Sequence, residues 1–242
     1  MPSFILYAVP REKVKLDEIA EKAKLLSIYD DKNDFKSGIF PESVIKTDYA
    51  VSFEFGFEYS FEYPTLEGVK EAKSVNRVPI IITKQVIALG NCEKEIENRV
   101  LSFIEKNFVN GISLERIKFD EKVLREVINR APELLQAELS PKRRGLEKVD
   151  KISFIGRGIE ESDVWRDYGE EPLVHVKVCV PELPEEPRVG FRKNGLVTIY
   201  NRFSMDKILL TLKYLVENII SHFIVLRSYQ SKLEGGLWDE IS

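Results

Sequence analysis

Side chains that catalyse reactions or bind metals are few in this chain. Among its 242 residues it has two histidines, His175 and His222, and two cysteines, Cys92 and Cys179. His175 and Cys179 fall on one face of a predicted strand, but four strand residues separate side chains by about 13 Å. A nucleophile and its general base must lie about 3 Å apart. The two residues therefore cannot form a catalytic dyad by themselves.

The histidines and cysteines also lack the spacing of a metal site. The two cysteines are far apart and form no Cys-x-x-Cys pattern, which excludes a disulfide framework and a zinc ribbon. We interpret them as free thiols of a cytoplasmic protein. We interpret His175 as a sheet-surface residue and His222 as a histidine at the edge of a helix interface. The residues indicate no cofactor.

The densest group of carboxylates lies at residues 158–171, which we predict to be an acidic loop. Its candidate ligands for Mg²⁺ or Ca²⁺ are Glu160, Glu161, Asp163 and Asp167. The spacing is not that of a calcium-binding EF-hand loop. A metal-dependent enzyme that uses this loop is one hypothesis. A solvated acidic loop anchored by Trp165 is the alternative.

Basic residues form a second candidate site. A predicted loop contains Lys142, Arg143 and Arg144, and Arg192 with Lys193 could supplement it. Such a cluster can bind an anion or a nucleic-acid backbone. The net charge of the chain is −4, so a nucleic-acid surface would have to be a local patch on an acidic protein. The alternative interpretation is ordinary solvated surface.

Nucleotide-binding and hydrolase motifs are missing. Gly156 and Gly158 follow a predicted strand, but no third glycine and no helix start follow at the spacing of a dinucleotide or phosphate loop. No nucleophile elbow and no zinc-protease motif occurs. The sequence therefore favours a non-enzymatic binding or regulatory module over the enzyme and nucleic-acid hypotheses.

The most regular pattern alternates aromatic or apolar residues with polar or small ones. Its apolar positions are Tyr49, Val51, Phe53, Phe55, Phe57, Tyr59, Phe61 and Tyr63. Alternation with a period of two predicts a strand with one buried and one solvent-exposed face. We expect Gly56 to mark a bulge and Pro64 to end the strand. The polar stretch 30–46 before it is predicted to be a loop.

The second half opens with a helix that is predicted to start near Asp120 and to break at Pro132, with a second helical piece at 133–139. Asn194-Gly195 predicts a hairpin, because both residues tolerate a positive φ. A long helix follows at 204–228. Its apolar end contains Ile219, Phe223 and Leu226, which we expect either to enter the core or to form a homodimer surface.

The two halves end in a similar way. Residues 77–91 align with 188–202 without a gap, and the following helices align after one inserted residue. Each half then reads as strand, turn, strand and packing helix. We therefore predict an α+β fold with two similar lobes, at 1–110 and 111–242, each an antiparallel sheet packed on a long helix. The likeness of the halves indicates an internal duplication.

Residues 191–200, followed by Ser204-Met205-Asp206 and the long helix, resemble the end of each lobe of the TATA-binding-protein fold and of related helix-grip folds. The resemblance covers about a third of the chain and implies the fold. TATA-binding proteins place their sheet on the DNA minor groove. The predicted solvent face here carries Glu54, Glu58 and Glu62, which would repel phosphate. The resemblance therefore does not imply DNA binding.

No stretch reaches the roughly 18 apolar residues that a membrane span needs. The apolar residues 4–9 precede Arg11 and Lys13, an order unlike that of a signal peptide. Lys and Glu dominate the charge and glutamine is scarce, as in many thermophile proteins. The sequence predicts a cytoplasmic protein that does not associate with membranes.

Overall fold

The computed structural model describes residues 1–10, 13–26, 37–143, 145–146 and 148–223. The chain is an α+β protein in which antiparallel strand pairing dominates. It divides into two compact units. The N-terminal unit is Tyr7–Glu115, and the C-terminal unit is Met1–Leu6 together with Arg116–Ser242. The first strand thus contributes residues to both units. Independent domains at 1–110 and 111–242 stay a prediction.

The N-terminal unit has a sheet with the strand order β2-β4-β5-β6, and β3 also pairs with β4. It receives the end of β1 and the start of β7. Its elements are β1 (Ser3–Ala8), α1 (Leu16–Leu25), β2 (Ser37–Ile39), β3 (Ile45–Lys46), β4 (Ala50–Thr65), β5 (Gly68–Thr83), β6 (Val86–Gly90), α2 (Lys94–Asn107) and β7 (Glu115–Arg116). A 3-10 turn, Pro41–Ser43, connects β2 with β3. The predicted loop at 30–46 is therefore wrong for residues 37–46, and residues 30–36 lie outside the described part.

Strands β4 and β5 form the long hairpin of this unit. They pair in unbroken register from Ala50 opposite Thr83 to Thr65 opposite Gly68. Gly56 is therefore not a bulge, and Pro64 lies within the strand. The predicted division into one wet and one buried face is also wrong. From Ala50 to Phe57 both faces are largely buried, whereas beyond Glu58 both faces are largely exposed.

Helix α2 covers the aromatic face of the first half of β4. The Phe55 and Phe103 rings lie 4.8 Å apart, and the Phe53 and Phe108 rings lie 5.3 Å apart. Val100 and Ile104, on the inner side of α2, are fully buried.

A buried carboxylate also lies on α2. Glu97 is only 3% exposed, and its Oε1 accepts hydrogen bonds of 2.6 Å from the Tyr7 hydroxyl and from Lys94 Nζ. These two donors offset the desolvation of the charge.

The C-terminal unit has a sheet with the strand order β1-β12-β11-β10-β8-β9. Each of the five strand pairs in this order is antiparallel. The further elements are α3 (Glu121–Arg130), β8 (Glu133–Leu139), β9 (Ile152–Ile155), α4 (Asp163–Tyr168), β10 (Leu173–Cys179), β11 (Arg188–Arg192), β12 (Leu196–Ile199) and α5 (Met205–Leu215). A π-helical turn, Val216–Ile220, continues α5.

Two local predictions for this unit are confirmed. The Asp120 side chain caps α3 by accepting a hydrogen bond from the Val123 amide. Strands β11 and β12 form the hairpin at Asn194-Gly195, where Gly195 has φ +87°. A Cβ atom on Gly195 would lie 2.3 Å from the Ile117 carbonyl oxygen, so only glycine fits this turn.

The helical piece predicted at 133–139 is wrong, because these residues form strand β8. A register irregularity in its pairing with β10 leaves Leu135 without a partner position between Leu134 and Gln136. Leu134 and Ala137 are therefore both buried, although they are three residues apart. That spacing imitates a helix in the sequence, while Pro132 stops the real helix.

The acidic loop predicted at 158–171 is also wrong in its structure. Residues Ile159–Glu161 form a 3-10 turn, and α4 follows with a cap in which the Trp165 amide donates to Ser162 Oγ. Trp165 packs edge-on against Phe154 with a centroid distance of 5.5 Å. Trp165 therefore anchors this segment from within a helix rather than from a loop.

The hairpins β5–β6 and β11–β12 are each followed by a helix. Their registers differ, however. Ile80 pairs with Leu89, but the aligned residue Phe191 pairs with Val197. The gapless sequence match does not extend to the strand register, and the internal duplication is not confirmed.

Candidate anion-binding face

One face of the C-terminal sheet is polar. In the pairing of β10 with β11, His175 lies opposite Arg192, Lys177 opposite Gly190, and Cys179 opposite Arg188. Directly opposite residues of an antiparallel pair share a face. The alternate residues, including Val176, Val178, Val189 and Phe191, are fully buried. We call the surface of His175, Lys177, Arg188, Arg192 and their cross-strand neighbours the polar face.

Several carboxylates near this face already have basic partners. Glu138 pairs with Lys151 at 3.3 Å, and Glu133 pairs with Arg157 at 3.1 Å. Glu185 pairs with Lys207.

The cations of the polar face lack such partners. Among the residues that the structure describes, no carboxylate forms an ion pair with Lys177, Arg188 or Arg192. The face is therefore locally positive on a chain of net charge −4.

Gly190 brings two side chains together above β11. A Cβ atom on Gly190 would lie 2.8 Å from His175 Nε2 and 2.9 Å from Cε2 of Tyr200. Because Gly190 has no side chain, the His175 imidazole and the Tyr200 ring can both lie directly above it. Lys177 Nζ lies 4.2 Å from the centroid of the Tyr200 ring.

His175 is buried at this position. It is 4% exposed, and neither ring nitrogen has a hydrogen-bond partner. Its Nδ1 lies 3.8 Å from Glu138 Oε2, beyond hydrogen-bond distance. Burial lowers the pKa of His175, Glu138 opposes this, and the charge of Arg192 lowers the pKa further. The imidazole is therefore neutral near pH 7.

An open pocket of about 640 Å³ adjoins Tyr200. Its lining residues are Lys177, Glu185, Glu186, Arg188, Tyr200 and Asn201. The Asn201 side chain holds the backbone of β11 in place, because its Oδ1 accepts a hydrogen bond of 2.8 Å from the Arg188 amide. An ammonium, a guanidinium and a phenol thus border one pocket, and each can donate a hydrogen bond to an anion. Two carboxylates border it as well, of which Glu185 is paired with Lys207.

No family model matches this chain, and no curated protein matches its sequence. Within the described ranges, no helix has both the length and the apolarity to cross a bilayer.

The structure brings the two predicted basic groups to one end of the C-terminal sheet. The Ser140 amide donates to the Pro172 carbonyl, and the Lys193 amide donates to the Val174 carbonyl. Lys142 therefore follows β8 and Arg192 ends β11, and these two strands flank β10.

Arg143 is engaged within the chain, because its guanidinium donates to the Asp167 carbonyl at 3.2 Å. The predicted residue Arg144 lies outside the described residues. Lys142, Arg192 and Lys193 are thus the predicted basic residues that remain available at this end.

The predicted metal ligands do not converge. Glu160 and Glu161 lie in the 3-10 turn, while Asp163 and Asp167 lie in α4, where Asp163 pairs with Arg166 at 2.7 Å. In the part of the chain that the structure describes, no three His, Cys, Asp or Glu side chains are grouped to hold a metal ion.

The predicted dimer residues of the last helix face inward. Ile219 is fully buried and Phe223 is 5% exposed, while Leu226 lies outside the described residues. Ile219 and Phe223 thus lie in the core, which was the alternative to a homodimer surface. A homodimer stays a prediction.

Both thiols are shielded from reaction. Burial raises the pKa of Cys92 to about 11, with neighbouring Glu97 and Glu93 adding to the shift. Burial also raises the pKa of Cys179. A high pKa leaves little thiolate at neutral pH, so neither residue is an activated nucleophile.

Sequence reasoning did not identify Lys177, Gly190 and Tyr200 as site residues. A signal was present, because polar or small residues alternate with apolar ones at 175 and 177 and at 188, 190 and 192. The alternation places these residues on one face of each strand. Only the pairing of β10 with β11 shows that the polar residues of both strands lie on the same face of the sheet.

Proposed function

We propose that this chain is a non-enzymatic binding protein and that its polar face binds the phosphate backbone of a nucleic acid. One observation carries the proposal. Lys177, Arg188 and Arg192 lie on one sheet face without acidic partners among the described residues, while Glu133 and Glu138 beside them are already paired. Unpaired cations on a common surface attract phosphate and release its counterions.

The spacing of the cations suits an extended polyanion. Arg188 and Arg192 are four residues apart on β11, which corresponds to about 13 Å, and Lys177 lies on the neighbouring strand between them. The two arginines therefore span several phosphates of a nucleic-acid strand, since one strand of a duplex carries a phosphate about every 3.4 Å along the helix axis. Tyr200 adds a half-buried ring beside the cations, a type of side chain on which a base can stack.

We also propose that the chain has a duplicated architecture like that of the TATA-binding proteins. Each unit runs from a helix through antiparallel strands to a closing helix. The strand orders correspond, with β6-β5-β4-β2 in one unit and β12-β11-β10-β8 in the other. Two of the acidic residues expected to repel phosphate are neutralised, because Glu54 pairs with Arg77 and Glu58 with Lys73. The two free cysteines, Cys92 and Cys179, support a reducing, cytoplasmic location.

The proposal is tested by fluorescence anisotropy with three labelled probes: a duplex DNA, a single-stranded DNA of the same sequence, and a hairpin RNA. If three phosphate contacts form, affinity between 50 and 200 mM NaCl falls about 40-fold for a duplex and about 20-fold for a single strand. We expect Lys177→Gln, Arg188→Gln and Arg192→Gln each to reduce the slope of log affinity against log salt by about 1.

The matched control is Lys106→Gln, which removes one exposed positive charge from α2 of the other unit. It should leave the salt slope unchanged. Binding that is insensitive to salt, or equal losses in Lys106→Gln and in the polar-face variants, would show that this face does not bind a nucleic-acid backbone.

A further inference from the structure

A strained loop borders the pocket beside Tyr200. It connects β10 with β11 and contains Glu185 and Glu186, whose φ angles are +64° and +43°. Residues with a side chain rarely adopt this left-handed conformation, and it persists only where the surrounding structure enforces it. Such residues cluster at active sites and ligand sites. The loop therefore has a geometry that a simple connection between two strands does not need.

Hydrogen bonds enforce this backbone geometry. The Glu186 amide donates to the Leu183 carbonyl at 3.1 Å. The Asn201 side chain bridges the end of the loop, because its Nδ2 donates to the Glu185 carbonyl at 3.2 Å and its Oδ1 accepts from the Arg188 amide at 2.8 Å. Glu186 is therefore held at the border of the pocket.

The two glutamates of the loop differ in their partners. Glu185 pairs with Lys207. Within the part of the chain that the structure describes, Glu186 forms no ion pair and no side-chain hydrogen bond, although Lys177 and Arg188 line the same pocket. Glu186 is also exposed to solvent. A carboxylate with two accepting oxygens is thus available beside two cations and an aromatic ring.

The cations and the ring of this pocket suit a nucleotide. Lys177 and Arg188 attract phosphate, and the ring of Tyr200 lies beside them. Lys177 Nζ lies over one face of that ring, so a base has to stack on the other face, and Tyr200 is only half-buried. The pocket volume of about 640 Å³ falls in the usual range for small-molecule sites. The pocket therefore has room for one base between the ring and the loop.

The carboxylate of Glu186 favours one base over the others. A carboxylate accepts hydrogen bonds and cannot donate them. Of the common bases, only guanine presents two adjacent donors on its Watson–Crick edge, N1–H and the N2 amino group. Adenine and cytosine present one amino donor beside an acceptor nitrogen, and uracil or thymine presents one N–H between two carbonyl oxygens. Two carboxylate oxygens therefore complement guanine best.

We propose, on the basis of the function proposed above, that this pocket binds an unpaired guanine of a single strand that lies along the polar face. The base stacks on Tyr200 and donates two hydrogen bonds to Glu186, while Lys177 and Arg188 contact the neighbouring phosphates. A duplex hides the Watson–Crick edge in its base pairs. Only a single-stranded or extruded guanine can therefore reach the carboxylate.

The test measures binding of the full chain to short labelled single strands by fluorescence anisotropy at low salt. The strands are oligothymidine and oligouridine, and each carries one central base, which is guanine, hypoxanthine or adenine. Hypoxanthine keeps N1–H but lacks the N2 amino group. In whichever strand type binds tighter, we expect guanine to bind about tenfold tighter than adenine, with hypoxanthine between them.

Glu186→Gln tests whether the carboxylate recognises the base. Glutamine donates as well as accepts, so the preference for guanine over adenine should fall below about threefold. The matched control is Glu182→Gln, which removes an exposed carboxylate from the same loop but not from the pocket lining, and it should leave the preference unchanged. Tyr200→Leu should weaken binding of all strands about tenfold without changing the order of the bases, since stacking tolerates every base.

Failure of the guanine pocket and failure of the proposed function have different signatures. Equal affinity for the three bases, with salt-dependent binding retained, would overturn the pocket and leave the phosphate contacts in place. A preference that survives in Glu186→Gln, or that Glu182→Gln reduces equally, would show that this carboxylate does not recognise the base. Unchanged binding by Tyr200→Leu would overturn the stacking. Absence of binding to every strand at low salt would refute both the pocket and the proposed function.

Discussion

Acidification is expected to destabilise the C-terminal unit through His175. The imidazole is 4% exposed and lacks hydrogen-bond partners, so the folded protein disfavours its protonated form. Its pKa in the fold is lower than the 6.5 of an unperturbed histidine. The unfolded chain therefore binds a proton at a higher pH than the folded chain does. Stability is complete above about pH 6.5 and falls as the pH decreases toward the folded pKa.

The magnitude follows from proton linkage. In that window the free energy of unfolding decreases by up to about 1.4 kcal/mol per pH unit. Glu138, Arg192, Lys177 and Lys151 act on this group, and the three cations together with burial outweigh the single carboxylate. We therefore expect a loss of at most about 1.4 kcal/mol between about pH 7.5 and pH 5.5 that is attributable to His175.

Urea denaturation at several pH values measures this effect in the wild type and in His175→Gln, which keeps a polar side chain but cannot titrate. The difference between the two pH profiles isolates His175, because exposed His222 and all carboxylates remain in both proteins. The wild type should lose more stability than the variant between pH 7.5 and 5.5. Identical profiles would refute the burial of a neutral imidazole at this position.

Three further predictions concern single residues. Tyr7→Phe should lower the free energy of unfolding by about 1.5–3 kcal/mol in urea titrations, because buried Glu97 loses a charged hydrogen bond. Lys94→Ala removes the other donor to Glu97, which is solvent-exposed. A loss in Tyr7→Phe no larger than that in Lys94→Ala would contradict the prediction. Gly195→Ala should destabilise the chain by more than about 1 kcal/mol in the same assay. Its φ of +87° is strained for alanine, and the nearby Ile117 carbonyl leaves no room for a Cβ atom. An unchanged urea midpoint of unfolding would show that the turn relaxes. Cys92 should react with a disulfide reagent at pH 8 much more slowly than free cysteine does, because its pKa is about 11, and rapid labelling would show an exposed thiolate.

The predictions from sequence were confirmed where local chemistry decides the structure. Asn194-Gly195 forms its hairpin because these two residues tolerate the backbone of the turn, in which Gly195 has φ +87°. Asp120 starts α3 because its own side chain accepts the cap hydrogen bond. Residues 133–139 were predicted as a helix, since a bulge at Leu135 produces a helical spacing of buried residues. Such a bulge depends on the partner strand, which the sequence does not reveal.

The candidate surfaces required tertiary information. Alternation at 49–63 predicted a strand, but it could not show that α2 covers Phe55 and leaves Phe61 exposed. The polar residues of β10 and β11 were visible as alternating positions. Their convergence around Tyr200 depends on strand pairing and on the space above Gly190.

The position of β1 has a consequence for synthesis of the chain. Ser3 pairs with Thr198 and Ile5 pairs with Leu196, so β1 pairs with a strand nearly 200 residues later in the sequence. During translation β1 is made before β12 and has no β12 to pair with until the residues between them have been made. Contacts between residues this distant in sequence form slowly. The C-terminal unit can therefore complete its sheet only after β12 has been made, and β1 is unpaired with β12 until then.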